Sequence, residues 1–471
     1  MTRILIFLLI FTSVSLSSAQ AVEVLSRRLT ITFNQTPIKE ALDEVARQAD
    51  FEWSYNVRIL SPTHRVTLQA RDWTVREILR EMLGENYVVK SSGRHLILKK
   101  EKPPKSELSG VIRANGTDER LANVTIYDKK TLRATTTDST GYYKLKIKKK
   151  SQIVVTRLGY RDTLLQVASL SPRYQNLQLK PVPIPANDTP ALQLAIRRSL
   201  KKAASEVDYF FNTQLDKWHE LNVPDTFSRQ FQISFLPQLG TNHMLSPKVA
   251  NNVSVNILAG QSAEVRVFEV AGLGNFTRNK VQGAQVAGLF NLNRGNCSGV
   301  QVAGIYNQTA DTLSGAQISG LINIAGKSPE FSVQIAGILN VIQNARDTSA
   351  VVQMPKSIQI SGLINRTKQL EGAQVSGLIN NAQKLQGVQV AGLINTVQKA
   401  NGVQVAGLIN QARECDGVQV SGLINSAKRL RGIQIGVINS AKKGRGLQIG
   451  LINRSGKRVL PIFNWVNQKP D

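Results

Sequence analysis

GVQVAGLINTVQKAN occupies positions 387–401. The next fifteen residues read GVQVAGLINQARECD, and the fifteen after those GVQVSGLINSAKRLR. Marking each unit by the first residue of its GVQVAGLIN core puts equivalent positions at 267, 283, 299, 315, 332, 357, 372, 387, 402, 417, 432 and 446. The spacing is 16 or 17 early, settles to 15 and ends on a step of 14, and one step of 25 holds the insertion VIQNARDTSAVVQMP. Twelve units of so short a period predict a solenoid, in which each coil packs on a copy of itself. QFQISFLPQLGTN and NNVSVNILAG, within residues 230–260, lead into the array as a cap, and LPIFNWV (460–466) closes it with bulky residues.

Within a unit, Val388, Val390 and Ile394 alternate with Gln389, Ala391 and Leu393, the period of a strand. Gly392 marks a bend, and the polar residues after Asn395 read as the return turn. In a parallel solenoid identical residues stack about 4.8 Å apart. Gln374, Gln389, Gln404 and Gln419 then form one amide ladder, and Asn380, Asn395, Asn410 and Asn425 another. Cys297 and Cys415 share a phase but lie seven units apart, on the order of 33 Å along the axis. A disulfide needs Cα atoms within about 7 Å, so both thiols are expected free.

The competing fold is a small outer-membrane β-barrel, with Val388, Val390 and Ile394 toward lipid and Gln389 and Asn395 toward the lumen. Sparse aromatic residues, uniformly short loops and a chain ending in Asp471 argue against it. With its GVQVAGLIN and GLQIGLIN units, the stretch 230–466 resembles the surface-repeat family of leptospires and Bacteroidetes. The resemblance implies a location at the cell envelope and no defined reaction.

The chain has 471 residues, enough for several domains. Residues 1–21 read as a signal peptide: Arg3, an apolar run, then small residues before a cut near Ala19 or Ala21. No other stretch approaches the roughly 18 apolar residues of a spanning helix. The chain is therefore expected to be exported and outer membrane-associated, periplasmic or at the cell surface.

Residues 22–101 read as an α+β domain: strand RLTITFN, a helix from Pro37 with Ile38, Leu42, Val45 and Ala46 on one face, and strand RVTLQARD. A second helix with Val75, Ile78, Leu79 and Met82 stops at Gly84, and the hairpin YVVKSSGRHLILKK follows. The order, with DWTVREILREML after VTLQ, resembles the short N-terminal (STN) domain of secretins and TonB-dependent receptors. That implies a periplasmic module contacting an envelope protein partner. Residues 106–181 read as a β-sandwich. TTDSTGYYKLKI and VVTRLGYRDTLLQV resemble the carboxypeptidase regulatory-like domain, which carries no peptidase site. Asp138 and Gly141 should form a hairpin turn, with Tyr143 and Leu145 in the core. A linker with a helix is expected over 182–225 and the repeat domain with its caps over 226–471. The fold class expected is thus multidomain and mainly β: an α+β domain, a β-sandwich and a parallel β-solenoid of about 15-residue repeats.

The chemistry is sparse. His64, His95, His219 and His243 are scattered, and no zinc spacing, P-loop or nucleophile elbow occurs. No cofactor, metal or catalytic residue is predicted, and the chain is expected not to be an enzyme. The net charge is +27, which favours anionic partners. In an exported chain, lipid or glycan ranks above nucleic acid, and none of the last is expected. Lys399, Arg413, Lys428, Arg429, Arg431, Lys442, Lys443 and Arg445 recur in the late turns as a possible anion-binding stripe. The same charges also keep a sheet edge from pairing with another. The expected function is a non-enzymatic envelope protein whose interaction modules carry a binding scaffold. The alternative is a barrel coupled through the STN-like domain to TonB-type transport or anti-sigma signalling.

Overall fold

The structure is a computed structural model that describes residues 24–468, apart from 57–58, 61–62, 85–86, 93–94, 101–106, 149, 167–174, 183–217, 220 and 344–353. The expected signal peptide, most of the expected linker helix and most of the insertion lie outside the described residues. The chain divides into an N-terminal and a C-terminal compact unit.

In the N-terminal unit, β1 (Arg28–Pro37) pairs antiparallel with β3 (Arg65–Thr74). A second sheet sets β2 (Glu52–Tyr55) parallel to β5 (His95–Lys100), which pairs antiparallel with β4 (Tyr87–Ser92). Helix α1 (Ile38–Ala49) buries Ile38, Ala41, Leu42, Val45, Ala46 and Ala49, one stripe at three- and four-residue spacing. It stops where Asp50 turns left-handed (φ 53°) and returns its N–H to Ala46 O. Helix α2 (Val75–Leu83) starts at a capping box: Thr74 Oγ1 accepts from Glu77 N, and Glu77 Oε2 accepts from Thr74 N.

The second domain of this unit has two sheets. One orders β11 (Thr163–Gln166), β10 (Gln152–Thr156), β7 (Thr125–Asp128) and β8 (Ala134–Thr136). The other orders β12 (Leu177–Leu179), β6 (Glu107–Ala114) and β9 (Tyr142–Lys146). Leu108, Ile112, Val124, Ile126, Tyr143, Leu145, Ile153 and Val155 form the core between them. Asp138 shapes the turn before β9, its Oδ1 accepting from Thr140 N at 2.9 Å and Tyr142 N at 3.0 Å. The two N-terminal domains meet through cations on rings. Arg120 lies 4.0 Å over Trp73 and pairs with Glu81 at 3.1 Å, while Arg80 lies 3.6 Å over Tyr142.

The C-terminal unit is mainly a run of parallel pairings. It forms a β-solenoid of about 13 turns over residues 250–449 and is not a closed barrel. Neighbouring coils pair in parallel and in register, Gln389 beside Gln404 and Asn395 beside Asn410. An up-and-down barrel needs antiparallel neighbours and a first strand that meets the last. Here the sheet order runs linearly from Phe227–Leu236 to Arg458–Gln468, which sets the barrel alternative aside.

Two details differ from the sequence reading. The segment after Asn395 is a second strand rather than a return turn: early coils show it as Phe290–Asn293 beside Ala284–Ala287, and later coils fuse both into strands such as Ile394–Ala406. Val397 and Ala400 point inward from it, which gives it a buried side of its own. The stretch leading in is also no separate cap, because Val249–Asn256 pairs in parallel with both Phe227–Leu236 and Ala259–Ala271 and belongs to the stack.

The stack needs glycine where coils approach most closely. A Cβ on Gly392 would stand 2.1 Å from Gly377 O, and one on Gly387, whose φ is +139°, 2.0 Å from Gly372 O. At the far end Arg458–Gln468 folds back antiparallel on the last coil and covers its edge. Gly392→Ala should therefore destabilise the solenoid by about 1–3 kcal/mol through overpacking. Gln398→Ala, at an exposed position of the same coil, should stay within about 0.5 kcal/mol of the parent. Urea unfolding followed by far-ultraviolet circular dichroism measures both.

Candidate binding surfaces of the solenoid

Amides line much of each coil's interior, beside a buried apolar column that runs through Leu385, Ala400, Cys415 and Leu430. Gln374, Gln389, Gln404 and Gln419 are fully buried, as are Asn380, Asn395, Asn410 and Asn425. Gln389 Nε2 donates to Gln374 Oε1 at 2.7 Å, Gln404 to Gln389 at 2.8 Å, and Gln419 to Gln404 at 2.9 Å. Asn380 Nδ2 donates to Asn395 Oδ1, Asn395 to Asn410, and Asn410 to Asn425, each at 3.0 Å. The Gln ladder thus donates toward the N-terminus and the Asn ladder toward the C-terminus. Two opposed chains of amide dipoles let each bond polarise the next without building a net dipole along the axis.

Each Asn does more than extend its ladder. Asn395 Nδ2 also donates to Val405 O of the next coil at 2.7 Å, and Asn380 to Val390 O at 2.7 Å. Those carbonyls sit where the strand turns at Gly-Leu, and the side chain of the preceding coil satisfies them. The Gln ladder ends on an acid. Glu269 occupies the register position before Gln285 and is fully buried. Its Oε2 accepts from Gln285 Nε2 at 2.7 Å, and its Oε1 from Ser262 Oγ at 3.0 Å and Asn256 Nδ2 at 3.2 Å. Burial raises its pKa, and these donors oppose the rise. An acceptor-only group suits a position reached by donors from both sides.

The exterior is apolar where the interior is not. Val388, Val390 and Leu393 point outward, 36–40% exposed. This pattern continues through register partners such as Val375, Val405, Ile435 and Ile449, all exposed. Period-2 alternation in the sequence showed that Val and Gln face opposite ways and left open which faces in. The pairing of Gln389 with small Ala391 on one side was the available signal, since alanine alone cannot fill a coil.

The basic residues fall in three neighbouring columns rather than one stripe. Lys399, Glu414, Arg429 and Lys443 are register partners in one, and Asp416, Arg431 and Arg445 in another. Arg413, Lys428 and Lys442 occupy the exposed position before the first of these. Glu414 interrupts the run, pairing with Lys399 at 3.5 Å and Arg429 at 2.8 Å. Continuous positive charge therefore begins only after Asp416.

Other reactive groups are dispersed. Cys297 and Cys415 are free and buried, and burial is the first cause that pushes their pKa up to about 11 and about 12. Burial pulls His219 down to about 4. Among the described residues no three His, Cys, Asp or Glu side chains gather to hold a metal ion. Pro329, Glu330, Met354, Lys356, Glu371 and Gln386 line an open recess.

The ladder geometry carries an expectation. Asn395→Leu would leave Val405 O and Asn410 Oδ1 without their donor and Asn380 Nδ2 without its ladder acceptor. Buried polar groups stripped of partners cost about 1–3 kcal/mol each, so a loss of about 2–5 kcal/mol is expected in urea unfolding. Hydrogen exchange should show the loss concentrated in coils 380–410.

Comparison with curated proteins gives no match, and comparison with solved structures gives none either. A family model does match part of the chain: residues 108–183, the two-sheet sandwich of the N-terminal unit, form a CarboxypepD_reg-like domain.

Proposed function

We propose that the chain is a non-enzymatic scaffold of the cell envelope. In this reading the CarboxypepD_reg-like sandwich and the small α+β domain before it are interaction modules, and the solenoid presents a long repetitive surface to a partner. The observation that carries it is the interior of the solenoid. Gln and Asn ladders fill the coils with amides that satisfy one another, so the recurring polar residues serve cohesion and are not free for chemistry. What varies from coil to coil lies in the outward residues of the second strand, such as Lys399 and its register partners Glu414, Arg429 and Lys443.

The α+β domain, with its STN-like order of elements, would contact an envelope protein. Trp73 and Glu81 are already engaged by Arg120, so such a partner would use surfaces away from α2. The apolar leader at residues 1–21 supports export.

The test is fractionation of cells expressing the full chain with a C-terminal tag. The envelope fraction should hold the protein, and its N-terminal sequence should begin near residue 20–22. Recovery in the cytoplasm with the leader intact would overturn the reading.

A further inference from the structure

The outward columns of the solenoid are apolar from one end to the other. The column of Val390 runs through successive register partners from Ile233 to Phe463 and contains only Ile, Val and Phe. At the corner, the column of Leu393 holds Leu, Ile or Val from Leu273 to Leu451. Neither column carries a charge or a hydrogen-bonding side chain. At about 13 turns and about 4.8 Å per turn the face is on the order of 60 Å long. Isolated exposed hydrophobes are ordinary, but a contiguous face of this extent marks an interaction surface.

The fold cannot bury this face by rearranging itself. A strand shifted by one residue would bring Val390 inward and turn Gln389 out. That would break both ladders and the Asn bonds to the corner carbonyls in every coil at once. The described residues leave both columns exposed, so their cover is sought in a partner.

We propose that this face docks on an anionic lipid bilayer, the solenoid lying lengthwise with its Val390 and Leu393 columns in the outer acyl region. Three observations select lipid over a second copy of the chain. The face has no polar pattern for a protein partner to read, and a bilayer needs none. Its C-terminal end is flanked by positive charge: nine Lys and Arg lie between Lys428 and Arg458, with no acidic residue among them. Arg431 and Arg445 stand on the same outward side as Ile433 and Leu447, two positions along the strand. Such a rim matches anionic headgroups and repels a like-charged copy. The closing strand extends the apolar columns with aromatic residues. Trp465 is the partner of Leu447 and Phe463 that of Ile449, and they are 61% and 57% exposed. An amphipathic indole beside arginines is the side-chain pairing of a membrane interface.

The proposal rests on the envelope reading only for where the protein would meet lipid, and a purified system separates the two. The full chain without its leader is mixed with vesicles of phosphatidylglycerol and phosphatidylcholine, or of phosphatidylcholine alone, and floated on a density gradient. Two variants test the face and the rim. One carries Val390→Ser, Val405→Ser and Leu408→Ser on the outer face, and the other Arg431→Gln and Arg445→Gln on the rim. Circular dichroism checks that each is folded. The parent should float with anionic vesicles, with Trp465 emission shifted to the blue and that shift lost in Trp465→Phe. The face variant should partition at least 10-fold less, and the rim variant should bind less and show a shallower salt dependence. Failure of the parent to float overturns the proposal and leaves the envelope reading standing. Equal binding by a folded face variant overturns it too, by showing headgroup attraction alone. A blue shift that follows protein concentration without vesicles would assign the face to a second copy of the chain.

Discussion

The bond from an asparagine amide to the corner carbonyl of the next coil is the contact on which the solenoid depends. Wherever the chain turns at Gly-Leu, a backbone carbonyl leaves the line of the strand. Asn380, Asn395 and Asn410 reach Val390 O, Val405 O and Val420 O at 2.7 Å, each from the coil before. A turning strand would otherwise bury an unpaired acceptor in every coil. The same amide continues the side-chain ladder, so one residue fixes the corner, the register and the spacing together.

The surface follows from that constraint. With Asn and Gln committed to the interior, alternation sends Val388 and Val390 outward and leaves little room inside. The spaces between amides are filled by small or single apolar residues, such as Ala391, Val397 and Ala400. Glycines stack where any Cβ would strike the coil beside it. The solenoid is therefore held by backbone pairing and amide ladders more than by an oily core, and its apolar surface stays available. The N-terminal unit is built the ordinary way, with Leu42, Val45, Ile78 and Leu79 buried from helices over sheet and Ile126 and Tyr143 buried between sheets.

The repeat was legible because a coil's neighbour is a copy of itself, so spacing alone fixed which residues stack. The sandwich was legible from its turn chemistry, Asp138 and Gly141 above all. What spacing could not show was which side of each strand faces in. Hydrophobicity, the usual guide, points the wrong way when amides can satisfy each other along a stack. The second strand of each coil was hidden because Thr396, Gln398 and Lys399 face outward and make the segment look like a turn. Glu269 stands at the Gln position of the first unit, but only the register shows that it ends the ladder. The basic columns were visible as composition, but only register shows that Glu414 divides them.

The central claim is that coils stack in parallel with equivalent residues one strand spacing apart. Spin labels placed on cysteines introduced for Gln308, Thr396 and Ser440, with Cys297 and Cys415 replaced by alanine, test it directly. These three positions share one column and are half-exposed. Five coils separate the first pair and eight the outer pair, so pulsed electron resonance should give narrow distances of about 24 Å and about 38 Å. Distances that do not grow in that proportion, or that shorten for the outer pair as in a sheet closing on itself, would contradict the account.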